Sequence, residues 1–324
     1  MSGILAPRAG SIAGAVSAIL LALSVSTTSD AIAPGPDTIA IECGSCPAWN
    51  AERAPFKLHG RSWYVGVAGL SAVLIDSGEG LVLIDGGLPQ SAAPIAAAIE
   101  HLGFTLADIA WIVNSHAHFD HAGGIAALAR ISGARVAASP AGAAGLRIGA
   151  ALPDDPQAGY GDATRFPPVA EVQVIADGEP IRLGRLTLTP VFTPGHTPGG
   201  TTWLWRECED AGDTADCLDL VYADSLTAVA APDFRFSADG GRAADLLRAS
   251  IDRVAGLPCD ILIPAHPDFG GLFERLERPR SPEHRNPLVD RAACQRYADA
   301  ARAWLDTRLE KEQASTAEGG RSEP

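Results

Sequence analysis

Basic residues are scarce in this chain. Its 324 residues include 25 lysines and arginines against 39 aspartates and glutamates, so the formal net charge is −14. A protein that binds nucleic acid needs a basic surface to neutralise phosphates, and no stretch of this sequence is rich in lysine and arginine. We therefore do not expect nucleic acid as a partner.

The sequence motifs of a catalytic serine are also missing. Neither S-x-x-K nor G-x-S-x-G occurs in the chain, so nothing in the sequence indicates a serine nucleophile. The shares of hydrophobic residues, 47%, and of charged residues, 20%, are those of an ordinary globular protein with a sizeable core.

Long apolar runs are absent as well. The run I-A-G-A-V-S-A-I-L-L-A-L-S-V has 14 residues, whereas a membrane-spanning helix needs about 20. It follows a positive charge and precedes the small-x-small sequence Ala31–Ala33, which is typical of a secretory signal. We interpret residues 1–33 as a signal peptide, place the mature N-terminus between Ile32 and Asp37, and expect a periplasmic protein without a stable membrane anchor. Pro34 hinders a cut directly before it, so a cut one or two residues upstream stays open.

Six cysteines form an even set, and in an exported chain disulfides are the expected state. We predict three bridges, which join Cys208 to Cys217, Cys259 to Cys294 and Cys43 to Cys46. The first would close an acidic loop and the second would tie a late strand to the last helix, contributions of roughly 2.7 and 3.8 kcal/mol in the loop-entropy model. The third pair is a C-x-x-C, for which a zinc knuckle or a redox pair is the alternative. Neither a second C-x-x-C nor a βαβ redox pattern accompanies it.

The first half of the chain begins with four apolar runs that are broken by glycines. They predict a meander of strands at P-F-K-L-H-G, R-S-W-Y-V-G-V, L-S-A-V-L-I-D-S and G-L-V-L-I-D-G-G. A helix over Ala92–Leu102, a short buried strand over Trp111–Asn114 and a helix over Ala122–Ile131 are predicted next.

The second half begins at about Glu171 with further strands and closes with helices at about Arg242–Ala255 and Leu288–Glu312. Because the halves look alike, we predict an α/β fold of the four-layer αββα type, in which two mixed β-sheets pack face to face with helices on the outside. This domain would span residues 34–312. The polar residues 313–324 have no apolar period and would form a disordered tail.

The stretch N-S-H-A-H-F-D-H-A-G-G contains the densest group of metal-ligating residues. His116 and His118 are two apart, so in an extended segment both side chains leave the same side of the backbone. Asp120 and His121 follow where the chain turns into a helix and could face a second ion. Four ligand-type residues at this spacing are much rarer than a lone core histidine, so we predict two metal sites.

Two further histidines stand in short loops that follow strands. His196 lies in T-P-G-H-T-P-G-G, and His266 lies in P-A-H-P directly after the apolar run I-L-I. Each motif alone would be weak, but both follow the first cluster in the order that a site for two metal ions requires.

At this point the residues resemble the metallo-β-lactamase superfamily, whose signature is H-x-H-x-D-H followed by two later single histidines within an αββα fold. Longer runs resemble class B β-lactamases of the third subclass: A-W-N, P-F-K-L-H-G-R-S-W-Y-V-G, G-H-T-P-G-G-T-T-W, A-D-S-L-T-A and C-D-I-L-I-P-A-H-P. The resemblance implies two Zn²⁺ ions, the first held by His116, His118 and His196 and the second held by Asp120, His121 and His266. Ser225 falls where other subclasses carry a zinc-binding cysteine.

Six such ligands contribute one negative charge, so two zinc ions and a bridging hydroxide leave a net charge of about +2 that attracts an anion. Most β-lactams carry a carboxylate. The resemblance therefore implies a monomeric di-zinc β-lactamase that confers antibiotic resistance. It would hydrolyse penicillins, cephalosporins and carbapenems by attack of a zinc-bound hydroxide on the β-lactam amide, with Asp120 as the catalytic residue that orients the hydroxide.

Four more residues are candidates for supporting roles. Ser225 and Thr227 could bind the substrate carboxylate, directly or through water, and strand-end capping is the alternative for both. Gln157 lies in a loop that would overhang the site, where relatives carry a glutamine near the metals. Asp85, in L-I-D-G-G, matches a superfamily position that braces the metal loop.

The same superfamily also contains lactonases and thioester hydrolases. In those enzymes an aspartate in a similar context bridges the metals, and Asp224 in A-D-S resembles it. If Asp224 bridged, the site would lose much of its positive charge and the lactonase alternative would gain support.

Overall fold

The computed structural model describes residues 1, 3, 32–33, 35–209, 217–280 and 286–319. Most of the predicted signal peptide lies outside these residues. All of the described helices and strands belong to one compact unit, which begins at residue 31. Among the described residues, no helix combines the length and apolarity that crossing a bilayer requires.

The first sheet has seven strands that lie side by side in chain order. They are β1 (Phe56–His59), β2 (Ser62–Tyr64), β3 (Val73–Asp76), β4 (Leu81–Ile84), β5 (Ile109–Val113), β6 (Arg135–Ala138) and β7 (Val172–Val174). The first four form the antiparallel meander that the sequence predicts. From β4 onward the neighbours are parallel, so β4 and β5 end at the same edge of the sheet.

The second sheet has five strands, in the order β12-β11-β10-β9-β8. They are β8 (Ile181–Leu183), β9 (Leu186–Phe192), β10 (Thr201–Cys208), β11 (Cys217–Ala223) and β12 (Ile261–Pro264). Only β11 and β12 pair in parallel among these described strands. The prediction that the second half starts at about Glu171 is wrong, because β7 lies beside β6 and completes the first sheet. The apolar pattern of a strand indicates which of its faces is buried, but it does not indicate which other strand lies beside it.

Eight α-helices are described. They are α1 (Cys46–Trp49), α2 (Ala92–His101), α3 (Phe119–Ala122), α4 (Ile125–Ser132), α5 (Pro140–Ile148), α6 (Arg242–Ala255), α7 (Leu272–Leu276) and α8 (Ala293–Gly319). The single helix predicted over Ala122–Ile131 is divided into α3 and α4 at Gly123 and Gly124. A Cβ at Gly124 would collide with the carbonyl oxygen of Gly86, so the glycine is required where this helix start meets the β4 end.

Buried side chains form three layers of core around the two sheets. Residues of both sheets, among them Val113 and Trp203, pack between them. The outer face of the first sheet packs against α2, α4 and α5, and that of the second packs against α6 and α8. The predicted four-layer αββα sandwich is confirmed.

The last helix extends beyond the predicted domain end. The disordered tail predicted from residue 313 is wrong in its first part, because α8 continues to Gly319; residues 320–324 lie outside the described chain. Glu312 explains the difference, since its buried carboxylate accepts hydrogen bonds from the backbone N–H groups of Phe236 (3.1 Å) and Ser237 (2.9 Å). Polar contacts, rather than an apolar stripe, hold this end of the helix.

Three disulfides are present, and all three predicted pairings are confirmed. Cys208–Cys217 joins β10 to β11, and Cys259–Cys294 ties the chain before β12 to α8. Cys43–Cys46 closes one turn before α1. The sulfur atoms of Cys43 and Cys46 are bonded to each other, which removes the zinc-knuckle alternative.

Candidate metal centre

Strand ends of both sheets bring the predicted ligands to one place. His116 follows β5, His266 follows β12, and His196 lies in the turn between β9 and β10. Two contacts join the sheets here: the Trp203 indole donates to the carbonyl oxygen of Asn114 (3.1 Å), and the Thr201 N–H donates to that of Ser115 (2.8 Å). Carboxyl ends of parallel strands are the usual place for a binding site in α/β folds.

The first group of donors consists of His116, His118 and His196. Their ring centroids lie 4.9 to 5.0 Å apart, and one nitrogen of each lies within 4.8 Å of the others. All three side chains are buried. Three imidazoles at these distances could bind one metal ion.

Outer contacts fix the tautomer of two of these rings. Nδ1 of His196 lies 2.9 Å from the carbonyl oxygen of Thr227, and Nε2 of His118 lies 3.1 Å from both carboxylate oxygens of Asp155. Each of these nitrogens must carry the proton, because its partner can only accept. The other nitrogen of each ring therefore keeps its lone pair for a ligand. No sequence motif singles out Asp155, although it stands two positions before Gln157.

His116 is held in the same way. The Ser115 hydroxyl donates to Asp85 at 2.6 Å, so its oxygen accepts from Nδ1 of His116 at 3.1 Å. One oxygen of Asp224 lies 2.8 Å from the same nitrogen. Nε2 of His116 is buried and has no hydrogen-bond partner among the described residues. An unpaired buried lone pair is costly, and a metal ion would satisfy it.

Burial keeps two of these rings, His116 and His196, uncharged. It lowers the pKa of His196 to about 3 and lowers the pKa of His116 well below its ordinary value, and the neighbouring histidines add to both shifts. Neutral imidazole is the form that binds zinc.

The second group consists of Asp120, His121 and His266. Nε2 of His121 and Nε2 of His266 lie 3.1 Å apart, and one oxygen of Asp120 lies 3.5 and 3.3 Å from them. Nδ1 of His266 donates to the carbonyl oxygen of Gly69 at 3.1 Å. The lone pair of His266 therefore faces the other two side chains.

Charge distinguishes this group. Burial lowers the pKa of His121, but the carboxylates of Asp120 and Asp85 outweigh it and raise that pKa above its ordinary value. The pKa of Asp120 is lowered in spite of burial, because the surrounding histidines favour its anion. The space between His121 and His266 thus suits one positive charge, either a proton or a metal ion.

Asp85 braces the loop that carries these residues. Its carboxylate accepts hydrogen bonds from the Ser115 N–H (2.6 Å), the Asn114 side chain (3.0 Å) and the Tyr222 hydroxyl (2.8 Å), and it lies 3.6 Å from Nδ1 of His121. The residue has φ 62°, a left-handed conformation that is uncommon for aspartate. These contacts agree with the predicted bracing role.

A cavity of about 560 Å³ opens over both groups. Gln157 and Thr227 line it, together with His118, Asp120 and His196. Ser225 is not among the lining residues; its hydroxyl is buried and has no hydrogen-bond partner among the described residues.

Asp224 lies behind His116 and outside the cavity lining. Its second oxygen accepts from the Thr193 hydroxyl at 3.4 Å, and it packs against Gly200, where any Cβ would collide with that carboxylate. This side chain therefore contacts the ring of His116 rather than facing the space between the two groups.

Comparisons with known proteins agree with this geometry. A family model described as the metallo-β-lactamase superfamily matches residues 65–266. The structure of Rm3 metallo-β-lactamase is 47% identical, with a TM-score of 0.78, over 84% of this chain and 100% of that chain. MEM-A1, a subclass B3 metallo-β-lactamase isolated from a soil metagenome library, is 47% identical with a TM-score of 0.77, over 82% of this chain and 99% of that chain.

Curated proteins match over shorter stretches. A hydroxyacylglutathione hydrolase of Anaeromyxobacter dehalogenans is 33% identical over 141 residues, which is 44% of this chain and 44% of that protein. The chain thus spans less than half the length of the first curated relatives that it matches.

Proposed function

We propose that this chain, which belongs to the metallo-β-lactamase superfamily, is a di-zinc β-lactamase that opens the amide of penicillins, cephalosporins and carbapenems. The observation that carries the proposal is the pair of neighbouring donor groups. Four of their six side chains line one cavity: His118, His196, Asp120 and His266. The similarity to subclass B3 enzymes over nearly their whole length supports it.

His116, His118 and His196 would hold one zinc ion, and Asp120, His121 and His266 the other. Five imidazoles and one carboxylate form a nitrogen-rich donor set, which suits zinc better than magnesium or calcium. The fixed tautomers and the unpaired Nε2 of His116 favour a metal ion over a purely structural cluster.

The bound ions would supply Lewis acidity and a water whose pKa is lowered to near 7. Asp120 reaches the cavity and would accept a proton there and orient the attacking water. Thr227 would place its hydroxyl near the substrate carboxylate, and Ser225 would act through a water because its hydroxyl lies outside the cavity lining. Gln157 would border the bound substrate from the overhanging loop.

A thioester hydrolase or lactonase is the alternative, and the hydroxyacylglutathione hydrolase relatives favour it. The position of Asp224 weighs against this alternative. The carboxylate lies 2.8 Å from Nδ1 of His116, on the side of the ring away from Nε2, where it cannot also bridge two ions bound in the cavity.

The test is turnover by the purified protein. We expect hydrolysis of nitrocefin and of a carbapenem that stops with a chelator and returns with zinc, at rates well above those for S-lactoylglutathione and an acyl-homoserine lactone. Faster hydrolysis of the thioester or the lactone would overturn the proposal. Metal analysis after dialysis against zinc should find about two ions per chain; full activity with one stable ion would contradict the di-zinc assignment.

A further inference from the structure

The cavity over the donor groups has two sides, which are attached to different sheets. Thr227, which we place at the substrate carboxylate, follows β11 of the second sheet. Residues 41–43 line the cavity as well, and Ile41 is hydrogen-bonded to the side chain of Gln90, which follows β4 of the first sheet. The cavity therefore extends from Thr227 on the side of the second sheet to the 41–43 segment on the side of the first.

The backbone on both sides of Glu42 is held in place. The N–H of Ile41 donates to Oε1 of Gln90 at 3.1 Å, and the carbonyl oxygen of Ile41 accepts from Nε2 of the same side chain at 2.9 Å. On the other side, Cys43 is bonded to Cys46. Glu42 is thus an exposed side chain on a fixed backbone in the wall of the cavity. A group whose backbone is already fixed loses less entropy when it meets a ligand.

Glu42 gives this side of the cavity a net negative charge. No lysine, arginine or histidine among the described residues forms an ion pair with its carboxylate. Arg165 is the only lysine or arginine among the described residues that line the cavity, and it is paired with Asp162 at 2.6 Å. Asp120 faces the histidines of the second donor group. The carboxylate of Glu42 is therefore the charge that remains for a ligand on this side.

The shape of a β-lactam brings its acyl group to the same side. The carboxylate and the acylamino group stand at opposite ends of the fused ring system, with the reactive amide between them. When the carboxylate lies at Thr227 and the amide lies at the donor groups, the acyl group extends toward the 41–43 segment. The neighbouring wall is formed by Trp49 and Phe119, and the indole of Trp49 lies 5.2 Å from the ring of His266. These two side chains are uncharged, so Glu42 alone distinguishes acyl groups there by their charge.

We propose that Glu42 selects substrates by the charge of the acyl group, and that it favours β-lactams whose acyl group carries an ammonium over those whose acyl group carries a carboxylate. The inference rests on the proposed function, because it assumes that the β-lactam amide lies at the metal centre. Glu42 is a specificity-determining residue in this proposal and takes no part in the chemistry. Because its carboxylate is exposed, the effect should be severalfold and should weaken as salt is added.

The test uses three penicillins that share one nucleus and a phenylacetyl group. Ampicillin carries an ammonium on the carbon beside the side-chain carbonyl, carbenicillin carries a carboxylate there, and benzylpenicillin carries neither. At about pH 6.5 the ammonium form predominates, because α-amino groups titrate at about 7.7 to 8.0. With Glu42→Gln we expect the ratio of kcat/KM for ampicillin to that for carbenicillin to fall about threefold to tenfold from its wild-type value. The rate for benzylpenicillin should change least. Glu42→Lys should lower the ratio further, because it reverses the charge.

Glu52→Gln is the matched control, since Glu52 is also exposed but does not line the cavity. In about 0.5 M salt the difference between the wild type and Glu42→Gln should shrink, which a change of shape alone would not cause. An unchanged ratio in Glu42→Gln, or an equal loss for all three penicillins, would overturn the inference alone. If the wild type hydrolyses none of the three, the proposed function fails and the inference fails with it.

Discussion

The two donor groups of the metal centre are built from the same residue types but differ in how their protons are controlled. In the first group, the ring nitrogen of each imidazole that points away from the other rings lies against an acceptor. For His196 the acceptor is the carbonyl oxygen of Thr227, and for His118 it is the carboxylate of Asp155. In the second group, Asp120 stands between two imidazoles, and the nearest carboxylate outside it lies 3.6 Å from His121.

The pKa values follow this difference. Burial and neighbouring imidazoles lower the pKa of His116 and His196, so these two rings stay neutral and able to bind a cation over a wide pH range. Two carboxylates raise the pKa of His121, so a proton competes for the second group. Of the two metal ions that we propose, the one in the second group should therefore be lost first as the pH falls.

Asp120→Asn should have the largest effect, because it removes the charge that defines the second group. The amide can still offer an oxygen to a metal ion but cannot accept a proton, so we expect kcat to fall by about 10²- to 10⁴-fold while much of the zinc is kept. Steady-state kinetics and metal analysis on the same preparation check this.

Asp162→Asn is the control for this experiment, since Asp162 also lines the cavity but has a side chain that is 90% exposed. Near-wild-type activity in Asp120→Asn would remove Asp120 from the catalytic role.

The free energy of unfolding of the metal-free protein should depend on pH, because His196 binds a proton less readily in the folded chain than in the unfolded chain. The folded pKa of His196, about 3, lies below its unfolded value of 6.5. Between these values the unfolded chain binds more protons, so stability is lost as the pH falls through this window. From His196 alone we expect a loss of about 2 to 3 kcal/mol between pH 6.5 and about pH 4.5.

Urea unfolding of the chelated protein at the two pH values measures this loss. His196→Gln carries no titrating ring and should lose less over the same interval. An equal loss in both proteins would show that His196 is not the group responsible.

Most of what the sequence predicted came from local motifs. The ligand motifs are local, since four ligand-type residues fall between His116 and His121, and their longer flanking runs indicated the superfamily that the comparisons confirm. The disulfide pairs were also predicted from local features: Cys208 and Cys217 flank one acidic loop, and Cys43 and Cys46 stand three positions apart.

What the sequence could not supply depends on contacts between distant segments. The partner of β7 is set by the crossover after β6, and the end of α8 is set by Glu312 binding the backbone near Phe236. Asp155 orients His118 from a loop 37 residues away, and nothing local distinguishes it from a surface aspartate. One signal was present: Asp155 stands in the loop that was expected to overhang the site.

Asp155→Asn should weaken the first group alone. The amide is a poorer acceptor for the Nε2 proton of His118, so we expect a loss of about 10- to 100-fold in affinity for one of the two zinc ions. Competition with a chromogenic chelator should show one of two release phases shifted and the other unchanged.

Asp154→Asn is the neighbouring control, because Asp154 is exposed. A shift of both phases by the same factor in Asp155→Asn would contradict the separation of the two groups.

The smallest effect concerns Ser225 and tests whether adjacent residues at the end of β11 serve different partners. Asp224 lies 2.8 Å from His116, whereas the Ser225 hydroxyl is buried without a partner and outside the cavity lining. If Ser225 reaches the substrate carboxylate through a water, Ser225→Ala should raise KM by no more than about tenfold, because an ordinary hydrogen bond contributes about 0.5 to 1.5 kcal/mol net. Zinc content should not change.

Asp224→Ala should instead lower zinc affinity, because it removes a contact that holds His116. Loss of zinc from Ser225→Ala would contradict its assignment to the substrate, and full zinc affinity in Asp224→Ala would contradict its role beside His116.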